Sequence, residues 1–150
     1  RCEDGEEASD LNPETGKLDK SYAQTRWIKA MQLDFAARAD WALQSFEEAN
    51  HAPEIKVEEG TNLMATAGEK LTLTTGYTDP DDHGVSFKVW NYEEAGDGVA
   101  EVTYDAEKDI ATVTIPETAK SGEEYHVIVE GSDAGFPSLT RYQRVIITIK

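Results

Sequence analysis

Residues 54 to 150 are cut into short alternating stretches by turn signals every ten residues or so, and that rhythm constrains the fold more than anything else in the chain. Successive side chains of a strand point to opposite faces, so alternation with a period of two describes a half-buried strand. The stretches 54–58, 70–75, 85–92, 99–104, 110–115, 125–131 and 142–150 fit this pattern. Ala67-Gly68-Glu69, Gly96-Asp97-Gly98, Lys120-Ser121-Gly122 and Asp133-Ala134-Gly135 supply turn chemistry between them. The expected fold is mainly β, an immunoglobulin-like antiparallel β-sandwich over residues 52–150.

A different rhythm precedes it. Residues 21–51 contain neither Pro nor Gly, and Trp27, Ile28, Met31, Phe35, Ala39, Ala42 and Phe46 recur at helical spacing. One long amphipathic helix is expected to run to about Asn50, where Ala52-Pro53 stops it. Residues 1–20 are acidic and poor in large aliphatics and read as a linker or tail. The lone Cys2 excludes an internal disulfide and a cysteine-rich zinc site.

Val85, Phe87 and Val89 share one face of their strand, as do Tyr125, Val127 and Val129, and Val145, Ile147 and Ile149; these are the expected core. The opposite faces carry Trp90, Tyr92, Ile128, Tyr142 and Ile146 where a solvated sheet would be polar. Two readings of Trp90 and Tyr92 stand side by side. In one the helix covers them. In the other they form a carbohydrate platform, with rings stacking on sugar faces.

A formal charge of −16 repels phosphate backbones and anionic membranes, so nucleic acid is not an expected partner. No apolar run reaches the length of a membrane span, and none of the N-terminal residues has signal-peptide character. The run Thr78-Asp79-Pro80-Asp81-Asp82-His83-Gly84 begins with a turn-forming Asp-Pro, and Gly84 is expected to supply positive φ. Asp79, Asp81 and Asp82, with Asp133 from another loop, could offer oxygens to a structural calcium ion, or the run is a metal-free turn; both stay open. The three histidines, His51, His83 and His126, are far apart in sequence and in different contexts. No serine sits in a nucleophile elbow, and Glu93-Glu94 and Glu123-Glu124 read as solvated turns, so catalysis by this chain is not expected.

Trp27, the run Asp34-Phe35-Ala36-Ala37-Arg38-Ala39-Asp40-Trp41 and the junction Glu48-Ala49-Asn50-His51-Ala52-Pro53 together resemble the bacterial family of cellulose-binding proteins with a nucleoside-hydrolase-like N-terminal domain. Ala67-Gly68-Glu69, the Asp-Pro-Asp turn, Tyr92-Glu93-Glu94-Ala95-Gly96 and Pro137-Ser138-Leu139-Thr140-Arg141-Tyr142 resemble its C-terminal domain. Two places depart from the family: Val89-Trp90 stands where adjacent tryptophans are usual, and Asp82-His83-Gly84 where Gly-Asp follows the turn. The resemblance implies an accessory, polysaccharide-binding domain of a secreted or periplasmic protein, with a hydrolase-like domain upstream. The rival reading is a structural module that docks on that domain or forms a homo-oligomer.

Overall fold

The computed structural model describes residues 11–12 and 15–150. Twelve residues of the expected 1–20 tail, Cys2 among them, lie outside the described residues. Within that tail, β1 (Leu11–Asn12) and β2 (Lys17–Leu18) pair as a small antiparallel ribbon. Gly16, at φ 65°, closes its turn by donating its N–H to the Asn12 carbonyl at 2.8 Å.

The helical segment is shorter than its sequence pattern suggests, with α1 at Tyr22–Thr25 and α2 at Ile28–Asp40, followed by turns over residues 41–49. The reason is tertiary. Trp41 donates its indole N–H to the Asn50 carbonyl at 2.8 Å, folding the chain back where no Pro or Gly marks a stop. Asn50 is itself buried, donating from Nδ2 to Asp133 Oδ2 (3.0 Å) and to the Pro137 carbonyl (2.9 Å). A Cβ on Gly135 would lie 2.1 Å from Asn50 Oδ1, so this corner closes only around a glycine.

The rest is strand: β3 (Glu54–Val57), β4 (Asn62–Ala65), β5 (Lys70–Thr78), β6 (Val85–Asn91), β7 (Glu101–Asp105), β8 (Ile110–Thr114), β9 (Glu124–Asp133) and β10 (Thr140–Ile149). Two four-stranded sheets result, ordered β3-β5-β8-β7 and β4-β10-β9-β6. Strand β4 was not expected, and it pairs with β10 in parallel. Every other pairing among the described residues is antiparallel.

One core lies between the sheets. Leu73, Val113 and Ile55 from one sheet meet Val127, Val129, Val145 and Ile147 from the other, with Val85, Phe87 and Val89 packed at its margin. Alternation therefore assigns the inward faces of β6, β9 and β10 correctly. Strand β9 is buried on both sides from Tyr125 to Val129, and its outward Ile128 is only 4% exposed.

The helix faces the molecule with a different side from the one its large apolar residues mark. Ala37 is fully buried and Ala23, Arg26, Trp27, Ala30 and Leu33 are partly covered, whereas Met31, Phe35 and Phe46 are 67%, 75% and 62% exposed. Only Trp27 belongs to both sets. A salt bridge fixes the middle of α2, where Arg141 on β10 reaches Asp34 at 2.9 Å and Arg38 holds the other Asp34 oxygen at 2.7 Å.

The Arg38 bond first, and Arg141 after it, hold the Asp34 carboxyl below its usual range against the opposing effect of burial. A carboxyl lowered by folding stabilises fully above its unfolded value of about 3.9 and loses that contribution as pH falls through the folded value. Acid titration followed by circular dichroism should accordingly show Arg141→Ala shrinking the stability gap between pH 7 and pH 2. An unchanged gap would remove this pair from the helix anchor.

Candidate functional site

The outer face of the β6, β9 and β10 strands carries two rungs of polar side chains in register. Lys88, Glu130 and Tyr142 lie directly across from one another, and Ser86, Ser132 and Thr140 form the next rung. The helical segment runs along this face, and the loop bearing Phe136, which connects β9 to β10, stands at the end of those strands. Between them is a groove of about 980 Å³, floored by the two rungs and walled by Tyr22, Arg26, Leu33 and Phe136. Phe136 is 93% exposed, so its ring is open to contact from within the groove.

The groove is continuous, through Tyr22, Arg26, Lys88, Glu130 and Tyr142, with a smaller recess of about 340 Å³ that is closed by Trp27 and Trp90. Here the aromatic residues assemble into one cluster. Trp27 lies 4.9 Å from the Tyr142 ring and 6.0 Å from Tyr92, both edge-on, and 5.6 Å from Trp90. Its indole N–H is satisfied by the Ala23 carbonyl at 3.0 Å. Such edge-to-face pairs add about 0.5–1.5 kcal/mol beyond area burial.

Charge is placed among the rings. The Arg26 guanidinium stands over Tyr22 at 4.6 Å and over Trp90 at 5.7 Å, and pairs with Glu94 from the 3-10 turn Glu93–Ala95. Trp90 donates its indole N–H to Glu130 Oε2 at 3.1 Å, and Lys88 approaches Glu130 Oε1 at 4.0 Å. Burial first, and the Glu130 charge second, raise the Tyr142 phenol above its ordinary value, so it stays a neutral hydroxyl at physiological pH. The floor thus offers an ammonium, a carboxylate and hydroxyls beside ring faces. That combination suits neutral, polyhydroxylated ligands with apolar faces.

Of the residues expected to contact carbohydrate, Trp90 lines the recess, half-buried, while Tyr92 sits behind Trp27 and lines neither space. Neither ring forms a flat exposed platform. Tyr22, Lys88, Glu130 and Phe136 were not anticipated. The signal for Lys88 and Glu130 was present, since both alternate with core residues on strands whose outer faces also carry rings.

The acidic turn is arranged differently from its sequence reading. Asp79, Asp81 and His83 come together, and Asp82 and Asp133 do not join them. Asp133 is buried and engaged with Asn50, while its Oδ1 accepts from Gly135 and Leu139 N–H groups at 3.2 and 2.8 Å. Positive φ falls on Asp82, at 58°, and not on Gly84. Aspartate tolerates that region better than most side chains. His83 belongs to the turn, with its Nδ1 3.9 Å from Asp79, and His51 reaches it from the helix–β3 junction, with its Nδ1 3.0 Å from Asp81. The third, His126, is remote from them and lies beside Glu124.

Comparison with known proteins gives a consistent result. A family model described as "Cellulose-binding protein Sde0182, C-terminal domain" matches residues 70–149. Among solved structures, a nucleoside hydrolase-related hypothetical protein from Saccharophagus degradans, associated with carbohydrate metabolism, is 33% identical with a TM-score of 0.76. The match covers 83% of this chain and 32% of that one, so the chain spans about a third of that protein's length. A chimeric titin Z1Z2 functionalized with a decorin peptide is 14% identical, covering 68% of this chain and 97% of its own at a TM-score of 0.39. No curated protein matches. Among the described residues no helix is long and apolar enough to cross a membrane.

Proposed function

The chain belongs to the family of the cellulose-binding protein Sde0182 C-terminal domain, and from that premise we propose that it is a noncatalytic carbohydrate-binding domain taking a cellulose-type polysaccharide along the groove between helix and sheet. The observation that carries this reading is the groove itself, where Tyr22, Trp90, Tyr142 and Phe136 surround the polar rung of Lys88 and Glu130. Stacking on the rings supplies affinity, and the floor reads hydroxyl groups. Within this proposal the domain is an accessory part of a secreted or periplasmic bacterial protein with a nucleoside-hydrolase-like domain upstream. The similarity to the Saccharophagus degradans protein, of which it spans a third, supports that setting.

An immunoglobulin-like classification goes with the same reading. The order β3-β5-β8-β7 facing β10-β9-β6 corresponds to the ABED and GFC sheets of that architecture, with β4 as an added edge strand.

Depletion of the protein from solution by insoluble cellulose tests the function. Retention is expected, and Trp90→Ala should weaken it roughly 10- to 100-fold, the equivalent of losing about 1.5–3 kcal/mol of ring burial. Circular dichroism and thermal melting of the variant keep a binding loss distinct from unfolding. Absence of released sugar in the same incubation would agree with a noncatalytic role, and release would contradict it.

A second reading rests on another observation. Met31, Phe35, Leu43 and Phe46 are 67%, 75%, 87% and 62% exposed on or just beyond the helix. An apolar surface of this kind marks an interaction site, and docking on the upstream domain or on a second copy would cover it. Met31→Ser with Phe35→Ser should leave cellulose retention unchanged under the first reading. A parent protein that self-associates without being retained on cellulose, and becomes monomeric in that variant, would favour the second.

A further inference from the structure

We infer that the Asp79–Asp81–His83 turn is a site for a divalent transition-metal ion of the zinc class, with His51 as the residue that positions Asp81. The three side chains each offer one donor atom, and those atoms all lie within 4.8 Å of one another. Donors around a single zinc-sized ion stand roughly 3–3.5 Å apart at bond lengths of about 2.0–2.2 Å. The His83 side chain, 37% exposed, is the member that can turn to close the difference.

Proximity of acidic groups alone would mean little, but the hydrogen bonding of this turn leaves specific atoms unsatisfied. The Asp79 side chain is only 1% exposed. Its Oδ1 accepts the Asp81 and His83 backbone N–H groups at 2.9 and 3.0 Å, which fixes the carboxylate, while its Oδ2 is buried without any hydrogen-bond partner. His83 Nδ1 is likewise buried without one. Buried polar atoms are nearly always paired, and an unmatched carboxylate oxygen is costly. His83 Nδ1 stands 3.9 Å from the Asp79 carboxylate, and a cation ligated at this turn would relieve the cost of the unmatched atoms.

The third donor is oriented from outside the turn. Asp81 accepts from the His51 backbone N–H and faces His51 Nδ1 at 3.0 Å, and the His51 ring is stacked between Phe46 (4.0 Å between centroids) and Trp41 (5.3 Å). A carboxylate ligand held by its own hydrogen-bond partner is how outer-shell residues set metal geometry. The donor set decides the ion. Calcium takes oxygens only, whereas one imidazole nitrogen with two carboxylates suits zinc, iron, cobalt or nickel. Asp82 and Asp133, which an all-oxygen site would need, stand apart from the group.

The test uses untagged, chelator-treated protein with Cys2→Ser, so that no thiol competes. One equivalent of Zn²⁺ is expected to bind by calorimetry, and Co²⁺ to give visible d–d absorption that Ca²⁺ in excess does not abolish. His83→Ala removes the imidazole, and Asp79→Asn retains the acceptor that folds the turn while removing the charge. Each should weaken binding by more than the roughly 10- to 100-fold typical of losing an outer-shell partner, with the unliganded circular dichroism unchanged. The proposal is overturned if the parent protein gives no stoichiometric binding, if both variants bind as it does, or if Ca²⁺ displaces Co²⁺ at equal concentration.

Discussion

Replacing Trp27 by alanine is expected to cost about 2–4 kcal/mol, somewhat under the roughly 3–5 kcal/mol of a fully buried ring because Trp27 is partly exposed. The ring joins the helical segment to β6 and β10 through Trp90, Tyr92 and Tyr142. Without it, the Asp34–Arg141 and Arg26–Glu94 pairs still tie the helical segment down, and part-exposed ion pairs contribute at most about 1 kcal/mol each. Protease cleavage within residues 22–40 should therefore appear well before the strands unfold, alongside a large near-ultraviolet circular dichroism change. If the variant melts and resists cleavage like the parent, the helix is held by something other than this ring.

Leu73→Ala is expected to destabilise by about 2–5 kcal/mol. Leu73 is fully buried on β5 and belongs to the core shared by both sheets, so the cavity left by its truncation has no mobile surface segment to collapse into it. Urea denaturation should show the midpoint falling with little change in slope. Helix and strand signals should be lost together, in contrast to the stepwise behaviour of Trp27→Ala. A cost below about 1 kcal/mol would mean that the two sheets do not pack on Leu73 as described.

These two substitutions also mark the boundary of what could be read without a structure. The core was legible because alternation over Val85–Phe87–Val89, Tyr125–Val127–Val129 and Val145–Ile147–Ile149 leaves one choice of inward face, and the structure buries or half-buries all nine. Strand β4 was missed. It is four residues long, and its parallel partner β10 lies about eighty residues on, so no hairpin turn announces the pairing. The apolar spacing predicts a helix that is longer than the observed α1 and α2 and turned to a different face. Its side chains Met31 and Phe35 are larger than Ala30 and Ala37, yet it is the small residues that let the helix approach the sheet.

The site was partly legible for the same reason. Trp90 stood out as a ring on an outer face, but its inclusion in a cluster with Trp27 and Tyr142, and the groove beside it, depend on how the helix crosses the sheet. At the acidic turn, Asp79 and Asp81 were identifiable from spacing. His51 was not, since it reaches Asp81 only because Asn50 pins the junction between the helical segment and β3 against the Asp133 loop. Contacts of that kind are fixed by tertiary packing and leave no local pattern.

The central claim is that carbohydrate binds in the groove between helix and sheet, and amide chemical-shift mapping of the full chain during titration with a soluble cello-oligosaccharide tests it most directly. Saturable shifts are predicted at Tyr22, Lys88, Glu130 and Tyr142, together with the Trp27 and Trp90 indole N–H signals, with the β3-β5-β8-β7 sheet unmoved. Shifts confined to that other sheet or to the exposed Met31, Phe35, Leu43 and Phe46 surface, or no shifts at all, would contradict it.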